Sequence, residues 1–221
     1  MGVRVVVEVT PKRAFASALD WPGWSRGGKT AEEALDSLLA YVSRYAPVAK
    51  RAQVAFAPPK TLRGLTVVET LHGDGGTEFG VPSVAASAEE DLLSAAELKR
   101  LLALLRASWA TLDAVGRKAE GVKLARGPRG GGRDLDRILD HVREAERSYS
   151  AQLGGRALAS ADRPSSRPGQ DAFIDAVHAR NRGELPDRGP RGGARWSPRY
   201  AVRRAAWHVL DHAWEIEDRS S

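Results

Sequence analysis

The first part of the chain carries the period-two pattern of β-strands. In residues 3–9 valine occupies every second position, which predicts a strand with one apolar face. Residues 13–19, with Phe15 and Leu19 on one face, are predicted to pair with it, and residues 61–71 are predicted to form a third strand. The N-terminal part is therefore expected to contain a small sheet.

A turn and a helix are predicted between the second and third of these strands. The Pro-Gly pair of DWPGW, residues 20–24, is typical of a tight reversal. Thr30 then stands at a helix N-cap position with Glu33 three residues later, the spacing of a capping box. We expect this helix to end at Pro47 and to bury Ala34, Leu35, Leu38, Leu39 and Val42.

The pattern changes to a helical period after residue 90. Residues 72–90 are rich in Gly, Ser, Ala and Pro and are predicted to be a linker. The four predicted helices that follow are residues 90–116, 133–153, 170–182 and 198–218. In the first of them the inward face is predicted to be Leu98, Leu101, Leu102, Leu105, Trp109 and Leu112.

These elements predict a fold class and a division of the chain. A small α+β domain of strand-strand-helix-strand order, residues 1–71, is expected to be followed by the linker at 72–90. Residues 91–221 are expected to form an all-α four-helix bundle, because four amphipathic helices joined by loops bury their apolar faces against one another.

The amino-acid composition limits the chemistry. The 221 residues include 42% hydrophobic and 28% charged residues, ordinary values for a globular protein, and no cysteine. Disulfides, thiolate nucleophiles, iron–sulfur clusters and cysteine-type zinc sites are excluded. A metal must therefore be bound by His, Asp or Glu, and a thiol must come from a substrate.

Charge and hydropathy bear on partners and location. No apolar run approaches the roughly 20 residues of a membrane span, and the N-terminus is predicted to be a strand rather than a signal peptide, so we expect a cytoplasmic protein without membrane association. The net charge of +6 raises nucleic-acid binding as an option. Much of this charge lies in loops without a reading element, so we predict no specific nucleic-acid binding.

Three of the five histidines form a candidate metal site. His208 and His212 are four residues apart in the last predicted helix, which places both rings on one face within reach of one ion. His141 lies near the apolar face of the second helix of the bundle. Metal binding and ordinary packing of core histidines are both compatible with this pattern. His72 and His178 have no partner spacing and are interpreted as ordinary.

Other residues near this pattern are catalytic candidates. Glu215 shares the face of His208 and His212, so it could hold an imidazole N–H, act as a general base, or pair with an arginine. Arg204 could meet an anionic substrate or be a surface charge. Trp207 and Trp214 are interpreted as packing more than as a substrate platform.

One loop is also singled out by its composition. The basic, glycine-rich residues 117–134 lack the P-loop pattern, and they either gate the site or are disordered.

Two stretches resemble known families. The strand pair followed by WPGWSRGGKTAEEAL resembles the HicB-like antitoxin domain, although any small α+β domain with a capped helix is an alternative. ILDHVREAERSY and RYAVRRAAWHVLDHAWEIEDR resemble the second and fourth helices of the DinB/YfiT superfamily, over roughly residues 90–221. This resemblance implies a four-helix bundle with a three-histidine metal site, in which His141 matches the first ligand and His208 and His212 match the late pair.

The DinB-like resemblance also implies a range of functions. The superfamily includes transferases and isomerases that use low-molecular-weight thiols, but a fold does not transfer an activity. The expected cofactor is a divalent ion of the Zn, Ni, Cu or Fe type that lowers the pKa of a bound thiol or water, for thiol-transferase-like or hydrolase-like chemistry on a small-molecule substrate. The alternative is a non-catalytic interaction protein whose HicB-like unit binds a protein partner. The assembly state, with a homodimer among the options, is left open.

Overall fold

A four-stranded mixed sheet forms the N-terminal part of the protein. The structure is a computed structural model that describes residues 2–127, 132–155 and 167–220. The strands are β1 (Val3–Val9), β2 (Ala14–Ala18), β3 (Ser25–Gly28) and β4 (Leu65–His72), in the spatial order β3-β2-β1-β4. The first three strands are antiparallel neighbours, and β4 runs parallel to β1.

Two helices, α1 (Ala31–Ala40) and α2 (Val42–Arg51), cross between β3 and β4. The predicted cap is confirmed, because Thr30 Oγ1 accepts a hydrogen bond of 3.2 Å from the backbone N–H of Glu33. The prediction that Pro47 ends the helix was wrong. The helix breaks at Tyr41 instead, and Pro47 lies inside α2, where it removes a single main-chain hydrogen bond.

Strand β3 was not predicted, and its glycines explain why. Gly27 and Gly28 have no side chains that could show an alternating pattern. A Cβ built on Gly28 would lie 2.5 Å from the backbone nitrogen of Ala34, so α1 packs directly against this strand. The missing side chains that hide the strand in the sequence are therefore what lets the helix approach it.

The second part of the chain is helical. After the short helix α3 (Gly75–Phe79) come α4 (Ala95–Lys118), α5 (Leu135–Gln152), α6 (Pro168–Asn181) and α7 (Pro198–Arg219). Helix α7 contacts α4, α5 and α6, and α5 also contacts α6. All six residues of the predicted inward face of α4 are buried. Pro198 occupies the first turn of α7, where the missing N–H costs nothing, and the hydroxyl of Ser197 caps that helix.

Residues 72–90 were interpreted as a linker, but they form an ordered segment that covers the second face of the sheet. Helix α3 and a 3-10 turn at Ser87–Glu89 both lie in it. The buried carboxylate of Glu8 on β1 accepts hydrogen bonds from Thr77 Oγ1 (2.9 Å) and from the Ser83 backbone N–H (3.0 Å). The Gly-rich composition reflects the ends of α3, since Gly80 terminates it with φ of +103°.

The sheet and the long helices share a hydrophobic core. Leu104 of α4 and Leu210 and Trp214 of α7 pack in one cluster with residues of β1, β2, α1 and α2. The turn at Gly23 lies against the same helix, because a Cβ built there would be 2.6 Å from Leu210 Cδ1. The division at residues 71 and 90 remains a prediction, but the two parts pack directly on each other.

Within residues 2–127, 132–155 and 167–220, no helix combines the length and the apolar composition needed to cross a bilayer.

Candidate metal centre

Helices α5 and α7 bring the three predicted histidines together. His208 and His212 lie one turn apart on α7, with ring centroids 4.7 Å from each other. The ring of His141 on α5 is 5.0 Å from that of His208 and 5.1 Å from that of His212. One potential ligand atom from each of the three residues falls within 4.8 Å of the others, so the triad is close enough to bind one metal ion.

The closest pair of donor nitrogens has the separation of two ligands on one ion. His208 Nε2 and His141 Nε2 are 3.2 Å apart. Two nitrogens at 2.0–2.1 Å from a tetrahedral zinc ion lie about 3.3 Å from each other. The donor set is therefore compatible with a zinc-like ion.

Glu215 fixes the orientation of His212. Its Oε2 atom lies 2.8 Å from His212 Nδ1, and its Oε1 atom accepts a 2.6 Å hydrogen bond from Arg219. The hydrogen bond to His212, together with Arg219, holds the pKa of Glu215 below its usual value. Because Nδ1 faces this carboxylate, Nε2 of His212 is the nitrogen left for an ion. Two of the alternatives for Glu215, an imidazole partner and an arginine partner, are realised together.

Burial keeps the imidazoles of His208 and His141 in the form that a metal needs. His208 is 8% exposed, and burial, with the nearby His212 and Arg204, lowers its pKa to about 2. Burial also lowers the pKa of His141, and the positive charge of Arg133 adds to the effect. Neutral imidazoles keep a free lone pair on the unprotonated nitrogen, which is the form that coordinates metals.

The triad opens into a cavity of about 860 Å³ between the two parts of the chain. The helical region supplies the histidines, Tyr149 and Arg204 to its lining, and the N-terminal part supplies Arg26, Tyr41 and Phe79. A pocket of this size admits a small molecule beside the histidines. This wall could not be predicted from the sequence, because its residues come from β3, from the break between α1 and α2, and from α3.

Arg204 is not the surface charge that was one of its two predicted roles. It is 9% exposed, and its Cζ atom lies 4.7 Å from the ring centroid of Trp207 and 5.4 Å from that of Tyr149. Trp207 and Trp214 are 4% and 2% exposed, so both pack in the interior as predicted while also lining the cavity.

Arg219 is a site residue that the sequence analysis missed. Besides Glu215, its guanidinium donates hydrogen bonds of 2.7 Å each to the backbone carbonyls of Ala125 and Arg133. It therefore ties the described ends of the glycine-rich loop to α7. Residues 128–131, the centre of the loop predicted either to gate the site or to be disordered, lie outside the described residues.

The two other histidines lie elsewhere. His72 ends β4 and His178 is on α6, and neither belongs to the cluster.

No protein-family model matches this chain, and searches of curated proteins and of solved structures give no match. The DinB-like and HicB-like resemblances therefore rest on the residues alone.

Proposed function

We propose that the protein binds one divalent metal ion on His141, His208 and His212 and that helices α4–α7 form a four-helix bundle of the DinB type around it. The observation that carries the proposal is the convergence of three imidazoles from two helices within 4.8 Å at the wall of a cavity. A three-histidine ion with further positions open to a cavity is typical of catalytic rather than closed structural sites.

The proposed activity is a transfer or isomerisation that uses a low-molecular-weight thiol. The bound ion would supply Lewis acidity that lowers the pKa of a thiol or of water. The chain's own residues position that chemistry. Glu215 orients His212 and is a carboxylate in contact with the triad that could accept a proton, and the thiol must come from outside because the chain has no cysteine.

Metal content of single variants tests the site. Elemental analysis of the wild type should give one ion per chain, and alanine at any of His141, His208 and His212 should remove most of it. His72→Ala and His178→Ala are matched controls and should keep it. Wild-type protein without metal after reconstitution, or His208→Ala with full metal, would overturn the proposal.

A conservative substitution tests the role of Glu215. Glu215→Gln should weaken metal affinity about 10- to 100-fold, because it weakens the hydrogen bond that orients His212. The exposed Glu90→Gln is the control. Competition with a chromophoric chelator measures both affinities.

A second candidate is an interaction protein in which the metal only stabilises the fold. The exposed side chains of Val67 (44%) and Val68 (46%) on the edge strand β4 favour it, since an open apolar edge is a surface for another chain. Cobalt-substituted protein distinguishes the candidates. Addition of 2-mercaptoethanol should change the visible spectrum if the ion has an open position, and an unchanged spectrum would favour the structural role.

A further inference from the structure

Among the residues that the structure describes, Arg204 is a buried cation without an anionic partner. It is 9% exposed, and its Nη1 atom is buried without a hydrogen-bond partner. In the described parts of the chain no carboxylate pairs with it, whereas its neighbours on α7, Arg199 and Arg203, pair with Glu97 and Glu89. An uncompensated buried charge is strongly destabilising, which favours an anionic ligand from outside the chain.

Aromatic rings hold the guanidinium in place but do not satisfy it. The rings of Trp207 and Tyr149 stack near Cζ at 4.7 and 5.4 Å. Such cation–π contacts offset part of the desolvation cost but provide no hydrogen-bond acceptor for Nη1 in the guanidinium plane. The planar guanidinium matches the two oxygens of a carboxylate.

The location of Arg204 connects it to the histidines. It lies one helical turn before His208 and lines the same cavity. Tyr149 contacts both, with its ring 5.4 Å from the Cζ atom of Arg204 and 5.8 Å from the ring of His208. Two other arginines of the lining are already engaged, since Arg26 pairs with Asp211 and Arg219 pairs with Glu215, and the third, Arg133, is exposed to solvent.

The remaining lining indicates what else the ligand carries. Phe79 is 79% exposed at the cavity, and the rings of Tyr149, Trp207 and Trp214 also line it. Aromatic walls around a buried cation suit a molecule with an apolar body and one anionic end.

We infer that Arg204 binds the carboxylate of a small organic acid with an apolar body, and that this ligand lies in the cavity beside the three histidines. The inference rests on the proposed function only in that another part of the ligand would reach the ion. It names the substrate class of that site.

Ligand-observed NMR titration of the purified protein with its metal tests the inference. Benzoate should bind saturably and at least about tenfold more tightly than benzyl alcohol, which has the same ring without the charge. Arg204→Gln should weaken benzoate binding about 10- to 100-fold, because a charged hydrogen-bonded pair is lost. Arg204→Lys, which keeps the charge without the planar fork, should show an intermediate loss. Arg147→Gln, at an exposed position of α5, should bind as the wild type does.

Several outcomes would overturn the inference. These are no saturable benzoate binding, equal binding of benzoate and benzyl alcohol, or unchanged binding by Arg204→Gln. Inorganic phosphate that binds as tightly as benzoate would also do so, because the site would then recognise a simple anion. Loss of metal in Arg204→Gln would mean that Arg204 supports the histidines rather than a ligand. Arg204-dependent binding that persists in metal-free His208→Ala supports the anion site even where the metal proposal fails, so the two failures are distinguishable.

Discussion

At the scale of single residues, the buried carboxyl group of Glu146 predicts that the stability of the protein depends on pH. Glu146 on α5 is 5% exposed, and burial raises its pKa to about 7, with the carboxylate of Asp113 adding to the effect and Arg143 and Arg167 opposing it. The folded state therefore favours the neutral acid. As pH rises from about 4.5 to 7, the unfolded chain loses this proton while the folded chain keeps it, so the free energy of unfolding falls.

Replacing Glu146 with glutamine should remove this fall. The difference in unfolding free energy between Glu146→Gln and the wild type should grow in favour of the variant by up to about 3 kcal/mol between pH 4.5 and 7.5, and be constant above and below that window. Urea unfolding at a series of pH values measures it. Glu144→Gln, exposed on the same helix, should show no such trend, and parallel curves for Glu146→Gln and the wild type would contradict the prediction.

At this scale part of the candidate site could be predicted from the sequence, and part could not. The spacing of His208 and His212, and Glu215 three residues further, can be read directly because a helix fixes which side chains are neighbours. His141 was found through a resemblance and its place on an apolar face. The burial of Arg204 could not be predicted, because Tyr149, which covers one side of it, comes from another helix.

At the scale of elements, the long helices and β1 were predicted well because their apolar periods are long and regular. The differences lie at glycine- and proline-rich positions. Pro47 was predicted to end a helix but lies inside α2, no strand was predicted at the glycines of β3, and residues 72–90, predicted to be a linker, contain α3 and pack on the sheet. Tertiary contacts stabilise these conformations, and the local composition does not show such contacts.

Gly23 allows a quantitative test of such a contact. It has φ of +94°, and a Cβ there would lie 2.6 Å from Leu210 Cδ1. Gly121 has φ of +75° but no atom within 4 Å of its would-be Cβ. Gly121→Ala should cost about 1 kcal/mol of stability from backbone strain alone. Gly23→Ala should cost about 2–4 kcal/mol, because overpacking against α7 is added. Denaturant unfolding measures both, and equal costs would contradict the contact with α7.

At the scale of the whole molecule, α7 belongs to both parts of the protein. Of its 22 residues 17 are buried, including Arg199, Arg203 and Arg219. His208 and His212 were predicted on one face of this helix, and its other face packs against the sheet through Leu210 and Trp214. Because the cluster that fills the sheet includes side chains of α4 and α7, the chain is expected to unfold in a single transition rather than as two separable units.

The buried pair of Arg203 and Glu89 tests this coupling. Glu89 accepts hydrogen bonds of 2.6 and 2.9 Å from Arg203, and both side chains are at most 1% exposed. Glu89→Gln should lower the unfolding free energy by about 3–5 kcal/mol, since it leaves a buried charge poorly paired. Glu90→Gln, at the exposed neighbouring position, should stay within about 0.5 kcal/mol.

Circular dichroism and tryptophan fluorescence should report one coincident transition in the wild type and in Glu89→Gln. Two separate transitions in the wild type would show instead that the units are independent, as the interpretation of residues 72–90 as a linker first suggested.

The position of α7 in the chain also governs when the protein can fold during its synthesis. Trp24, Tyr45 and the rest of the sheet's core emerge from the ribosome long before Leu210 and Trp214, the side chains that complete that core. At about 5–20 residues per second, the gap amounts to roughly ten seconds or more. His141 is likewise synthesised before His208 and His212, the two residues with which it forms the cluster. The core of the sheet and the three-histidine cluster should therefore both be completed only after α7 has been translated, and until then the apolar core remains exposed in the nascent chain.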